Sequence, residues 1–113
     1  ACTMLFMGTD DDKGAQLYKV DPAGLCLPYK GAALGKFEPE AMNFLEKKVT
    51  ELDGLDENNT VEMAITAMQY VLSTDFKSSE IEVCVISTGS KFRMLSEAQI
   101  EERLNSISEK SDM

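Results

Sequence analysis

The chain has 113 residues, 43% of them hydrophobic, which is enough for one domain with a core and too little for two. Twenty acidic residues against eleven scattered Lys and Arg, with no His, give a net charge of −9, a balance that speaks against a nucleic-acid surface and for protein partners. The apolar runs Met4-Leu5-Phe6-Met7 and Val83-Cys84-Val85-Ile86 fall far short of the roughly 20 residues of a membrane-spanning helix. Ala1-Cys2-Thr3-Met4 has no basic lead into an apolar stretch, so neither a membrane partner nor a secretory signal is expected.

Taken in order, residues 1–9 are predicted to form a strand that is apolar on both faces, followed by the turn Asp10-Asp11-Asp12-Lys13-Gly14 and a second strand, Ala15 to Val20. Asp21-Pro22-Ala23-Gly24 is a turn: Asp can bond its own backbone, Pro presets the next φ, and Gly takes the last position. A third strand is predicted from there to about Ala33. In it Leu25, Leu27 and Tyr29 alternate with Cys26 and Pro28, so that neither face is cleanly polar and both require cover.

From Ala41 the period changes. Ala41, Phe44, Leu45, Val49 and Leu52 share one helical face, with Pro39 suited to the first helical position. A polar loop, Asp53 to Asn58, precedes Asn59 and Glu62, whose spacing predicts a capping box and a helix to about Thr74. The wide stripe of that helix (Val61, Ala64, Ile65, Met68, Val71, Leu72, broadened by Met63, Ala67 and Tyr70) predicts burial on more than one side, with Gln69 outward. Ile81 to Ile86 and Lys91 to Leu95 are predicted strands joined by Ser87-Thr88-Gly89-Ser90. Ser96 with Gln99 is a second capping box, and it opens a helix whose narrow stripe is Ile100, Leu104 and Ile107. The order is therefore βββααββα.

Motifs that could carry chemistry mostly have plainer readings. Cys2, Cys26 and Cys84 fit no zinc spacing and are expected to be buried, reduced thiols, as Met4, Met7, Met63, Met68 and Met94 are expected to be core residues. The run Asp10 to Gly14 lacks the closing Glu of a calcium loop, and Thr88-Gly89-Ser90-Lys91 lacks the full phosphate-loop pattern and its helix. Asn58-Asn59-Thr60 has the form of a glycosylation site but is explained as a helix start, and Glu46-Lys47-Lys48 as solvated helix surface. No catalytic, cofactor-binding or metal-binding residue is expected, and no cofactor.

The ordered series LYKVDPAG, KGAALG, NFLEKKV, VEMAITAMQYVLSTDFKSSEIEVCVI and KFRMLSEAQIEERL resembles the C-terminal half of the alpha subunits of the eukaryotic 20S proteasome, and within them the iota type. The likeness runs from about Met4 to Glu109 and rests on the series rather than on any one block. It implies an α+β fold, the four-layer αββα sandwich of the N-terminal-nucleophile hydrolases, in which helices cover one face of the hairpin's sheet and a second sheet covers the other. Pro28, Gly31 and the helix entry Lys36-Phe37-Glu38-Pro39 depart from the family pattern. The abrupt, two-faced first strand carries the expectation that residues 1–113 are the C-terminal half of one such domain whose N-terminal half is not part of this chain.

The resemblance also implies a non-catalytic structural subunit of the outer ring of the core particle, acting in ubiquitin-dependent and other proteasomal degradation in cytoplasm and nucleus. Its partners would be other alpha subunits, beta subunits and, in the full assembly, a regulatory particle. Thr3 does not match the N-terminal Thr nucleophile of beta subunits, because Ala1 and Cys2 precede it and it lies in the wrong strand. The alternatives are a catalytic beta-type threonine hydrolase of the same fold and an acidic protein-binding adaptor.

Overall fold

The computed structural model describes residues 3–10, 12, 14–52, 54–87 and 92–111. Strands β1 (Met4–Asp10), β2 (Gly14–Val20) and β3 (Cys26–Pro28) form an antiparallel sheet in that order. Asp21 closes the β2–β3 turn as its residue type predicts: its Oδ1 accepts the backbone N–H groups of Ala23 (3.0 Å) and Leu25 (2.9 Å), and its carbonyl accepts that of Gly24 (3.0 Å). Gly24 has φ +87°, a conformation costly for any residue with a Cβ. β3 is shorter than predicted. After Pro28, Tyr29 adds one bond to Leu17 O (2.9 Å), and the chain then leaves the sheet to run along the first helix, where the Ala33 N–H donates to Met42 Sδ at 3.2 Å. Pro28 is tolerated because β3 lies at the edge of the described sheet.

The single helix predicted from Ala41 to Leu52 is two: α1 (Glu38–Lys47), with Pro39 in its first turn, and α2 (Val49–Leu52). They part at Lys48, whose N–H takes the tighter bond to Leu45 O at 3.1 Å. α3 (Glu57–Leu72) starts earlier than expected, and the predicted Asn59/Glu62 box is corrected. Asp56 is the N-cap and accepts the Asn59 N–H at 2.8 Å. Both positions suit a cap, and Asp56 prevails because its cap lets Thr60 bond the Asp56 carbonyl through both N–H (2.9 Å) and Oγ1 (2.7 Å). Glu62 is instead buried against the last helix. α3 ends at Ser73, a left-handed residue with φ 53°, with the Thr74 N–H returning to Gln69 O in a Schellman-type closure.

β4 (Cys84–Val85) pairs with β5 (Arg93–Met94), both shorter than predicted, and Leu95 N–H to Val83 O adds a bond at 2.9 Å. The predicted turn residues Thr88-Gly89-Ser90 and Lys91 lie outside the described residues, as do Cys2, Asp11 and Lys13. α4 (Glu97–Ser111) opens with the predicted capping box: Gln99 N–H to Ser96 Oγ at 3.2 Å, and Ser96 N–H to Gln99 Oε1 at 2.9 Å. The core gathers here. Val61 and Ile65 of α3 and Val85 of β4 form its centre, ringed by Ile81, Val83, Leu95, Leu104 and Ile107, and Ile100 is 3% exposed. α3 also meets α1, with the Phe44 and Tyr70 rings 4.9 Å apart.

Several predicted core residues are not covered. Met4, Met7, Met68 and Met94 are exposed, as are Cys26 and Cys84, and Met63 is half-buried. Within α3, Met68 is exposed while Gln69, expected outward, is half-buried. The reason is geometric: an apolar pattern states which side chains suit burial, and no described element lies over these.

Candidate assembly surface

β1 puts four apolar residues in succession on view: Met4, Leu5, Phe6 and Met7, with Phe6 52% exposed. Since neighbours in a strand point to opposite faces, both faces of the strand are uncovered. The register extends each face across the sheet. On one, Phe6 lies opposite Tyr18 and Tyr18 opposite Pro28; on the other, Leu5 lies opposite Lys19 and Lys19 opposite Leu27. β1 also has only β2 as a described neighbour, so its outer edge presents backbone groups suited to a further strand.

Lys19 identifies the second face as the one turned toward the helices. Its Nζ meets Glu38 Oε2 at the start of α1 at 3.2 Å. Alternation alone marks Lys19 only as a charge in an apolar strand, and its partner becomes legible once α1 is known to begin at Glu38. An open, mainly apolar depression of about 700 Å³ has Met7, Leu17, Tyr18, Pro28, Leu52 and Ile86 among its lining residues. It holds no convergent set of titratable groups of the kind that marks a reaction site.

The chemical candidates are dispersed. Asp12 lies in the β1–β2 turn, exposed, and Thr3 lies half-buried just before β1. Glu46 and Lys47 are exposed on α1, and Lys48 pairs with Glu51 at 3.7 Å, in keeping with a solvated helix surface. Among the described residues no group of His, Cys, Asp and Glu could hold a metal ion, and no helix is long and apolar enough to cross a membrane. What the arrangement offers is area and strand edge, the features of an interface between chains.

Comparison with known proteins shows the family. Residues 1–86 match the family described as proteasome subunit. The chain belongs to the proteasome subunit family. It is 42% identical over 95% of its length to Probable proteasome subunit alpha type-1 of Schizosaccharomyces pombe, and 40% identical over 94% to proteasome subunit alpha type-6 of Caenorhabditis elegans. It is 38% identical over 86% to proteasome subunit alpha type-2-B of Arabidopsis thaliana. The chain spans about 44% of the length of the first two relatives and 40% of the third. All three names are alpha-type, and the beta-type alternative gains no support from them. The mixed α/β architecture accords with the fold of this proteasome family.

Proposed function

We propose that the chain is the C-terminal part of a non-catalytic alpha subunit, of the iota type, in the outer ring of the 20S proteasome core particle. Its role is architectural: it presents strands and helices to other alpha subunits and to beta subunits, and the complete particle, with its regulatory particle, degrades protein in cytoplasm and nucleus. In this reading the β1–β3 sheet is one inner layer of a four-layer αββα sandwich. The helices lie on the Lys19 face, and the remainder of the subunit supplies the second sheet over the Phe6 face.

The observation that carries the reading is the alpha-type identity over nearly the whole chain, joined to a sheet whose apolar faces are open. The experiment is affinity purification of the tagged full-length subunit followed by mass spectrometry and peptidase assay. Co-purification with alpha- and beta-type subunits, with peptidase activity unchanged by Thr3→Ala, is the expected result. A subunit recovered alone overturns the architectural role, and loss of peptidase activity in Thr3→Ala particles that assemble normally overturns the non-catalytic one.

A further inference from the structure

Glu62 is the one buried charged residue among those described, 5% exposed, and it is held from a single direction. Arg103 Nη1 donates to its Oε2 at 2.6 Å, while Lys110 Nζ (2.8 Å) and Ser106 Oγ (3.1 Å) donate to its Oε1. All three donors belong to α4, at spacings that place them on one helical face beside the apolar stripe Ile100, Leu104 and Ile107. From α3 itself, Asn59 Oδ1 accepts a further bond from Lys110 at 3.1 Å; Arg103 also meets Glu102 at 3.3 Å, and β5 contributes Arg93, which pairs with Glu57. The family match ends at residue 86, before β5 and α4 begin.

We infer that Glu62 is a latch that seats α4 on α3, so that the charge on this one carboxylate decides whether the C-terminal helix stays docked while α1 and the rest of α3 keep their structure. Either half of the contact alone is weak. The apolar stripe is narrow and only Ile100 in it is buried, so without the carboxylate the half-buried Arg103 guanidinium would keep only the exposed Glu102, and Lys110 only Asn59 Oδ1, among the partners described. With the carboxylate, three donors fix both the direction of α4 and its register, because a slip by one turn would separate Arg103 and Lys110 from it together.

The latch opens in acid. Burial pushes the Glu62 carboxyl up, but hydrogen bonds from Lys110 and Ser106 and the charges of Lys110 and Arg103 outweigh it and hold the group below its ordinary value. A carboxyl lowered in the folded state contributes stability that is present above the unfolded value, about 4.3, and lost as pH falls through the lower folded value. Release of α4 by protonation of Glu62 therefore needs a pH below the ordinary carboxylate range, and at neutral pH it takes a change in Glu62 or in one of its α4 donors to open the latch.

Hydrogen exchange on the full chain, in whatever assembly it purifies with, reads this peptide by peptide. Glu62→Gln is expected to speed exchange in residues 97–111 by about 100-fold at pH 7, the scale of breaking one buried ion pair, with residues 38–47 unchanged. Loss of protection to the same extent in both segments, or no change in either, overturns the latch. If Glu62→Gln does not fold, Lys110→Met decides. That side chain is more than half exposed, so exchange in 97–111 is expected to rise only about 5-fold, and an unchanged rate overturns the inference.

Discussion

The two ends of this chain reach order by different means. The sheet β1–β3 is built from backbone hydrogen bonds and the Asp21 turn, yet exposes Met4, Leu5, Phe6 and Met7 in a row. The region from α3 to α4 buries Val61, Ile65 and Val85 against one another, buries Ile100 on α4, and gives its one buried charge three donors. Hydrogen bonds fix the sheet's register, but the apolar burial that stabilises folded chains is found at the other end. The sheet's open surface is thus an unused capacity for binding, while the helical end has already satisfied its own.

Substitutions of similar chemistry at the two ends sharpen this contrast. Ile65→Ala or Ile100→Ala removes buried methyl groups and is expected to cost about 2–5 kcal/mol in urea unfolding of the full chain. Phe6→Ala, on a larger side chain, is expected to cost less than about 1 kcal/mol when the chain is free and to act on assembly instead. Equal costs at Ile100 and Phe6 would break the comparison. Met68→Ala sides with Phe6 rather than with Ile65, since Met68 is 47% exposed, and is also expected to stay below about 1 kcal/mol.

Smaller effects test the local geometry. Ser73→Gly relieves a left-handed conformation at the exposed end of α3 and is expected to raise stability by about 1 kcal/mol. Gly31 does not have a positive φ, and a Cβ there would lie 3.4 Å from Leu52 Cδ1 and 3.6 Å from Leu45 Cδ1, ordinary contact distances. Gly31→Ala is therefore expected to be neutral or stabilising by up to about 1 kcal/mol, read as a small rise in melting temperature. A clear loss of stability would place the 29–35 segment closer to α1 and α2 than described.

Local chemistry was legible in the sequence wherever donor and acceptor lie within a few residues. The Ser96/Gln99 box, the Asp21 turn, Pro39 in the first turn of α1 and the Ile100-Leu104-Ile107 stripe all follow from spacing. Asp56 and Asn59 were both competent caps three residues apart, and spacing alone could not choose between them. Glu62 was beyond reach for another reason: its partners lie 41 to 48 residues away, and only the docking of α4 brings them together. For Cys26, Cys84 and the methionines, the pattern marked surfaces fit for cover without saying which chain covers them, and that same ambiguity hid the candidate surface among ordinary core positions.

Cys26 offers the most direct test of whether the open sheet is an assembly surface. Its side chain lies on the Phe6 face through the Val20 register and is exposed, so with Cys2→Ser and Cys84→Ser it is the single thiol of residues 1–113, and its own peptide is followed by mass spectrometry. Rates of modification by a small alkylating reagent are compared for the free 113-residue chain and for the full-length subunit in its purified assembly. The account expects fast labelling in the free chain and a rate at least about tenfold lower in the assembly, because a buried thiol is shielded from the reagent. Equal rates in the two states would show that this face stays open when the subunit is in place, and would contradict the account.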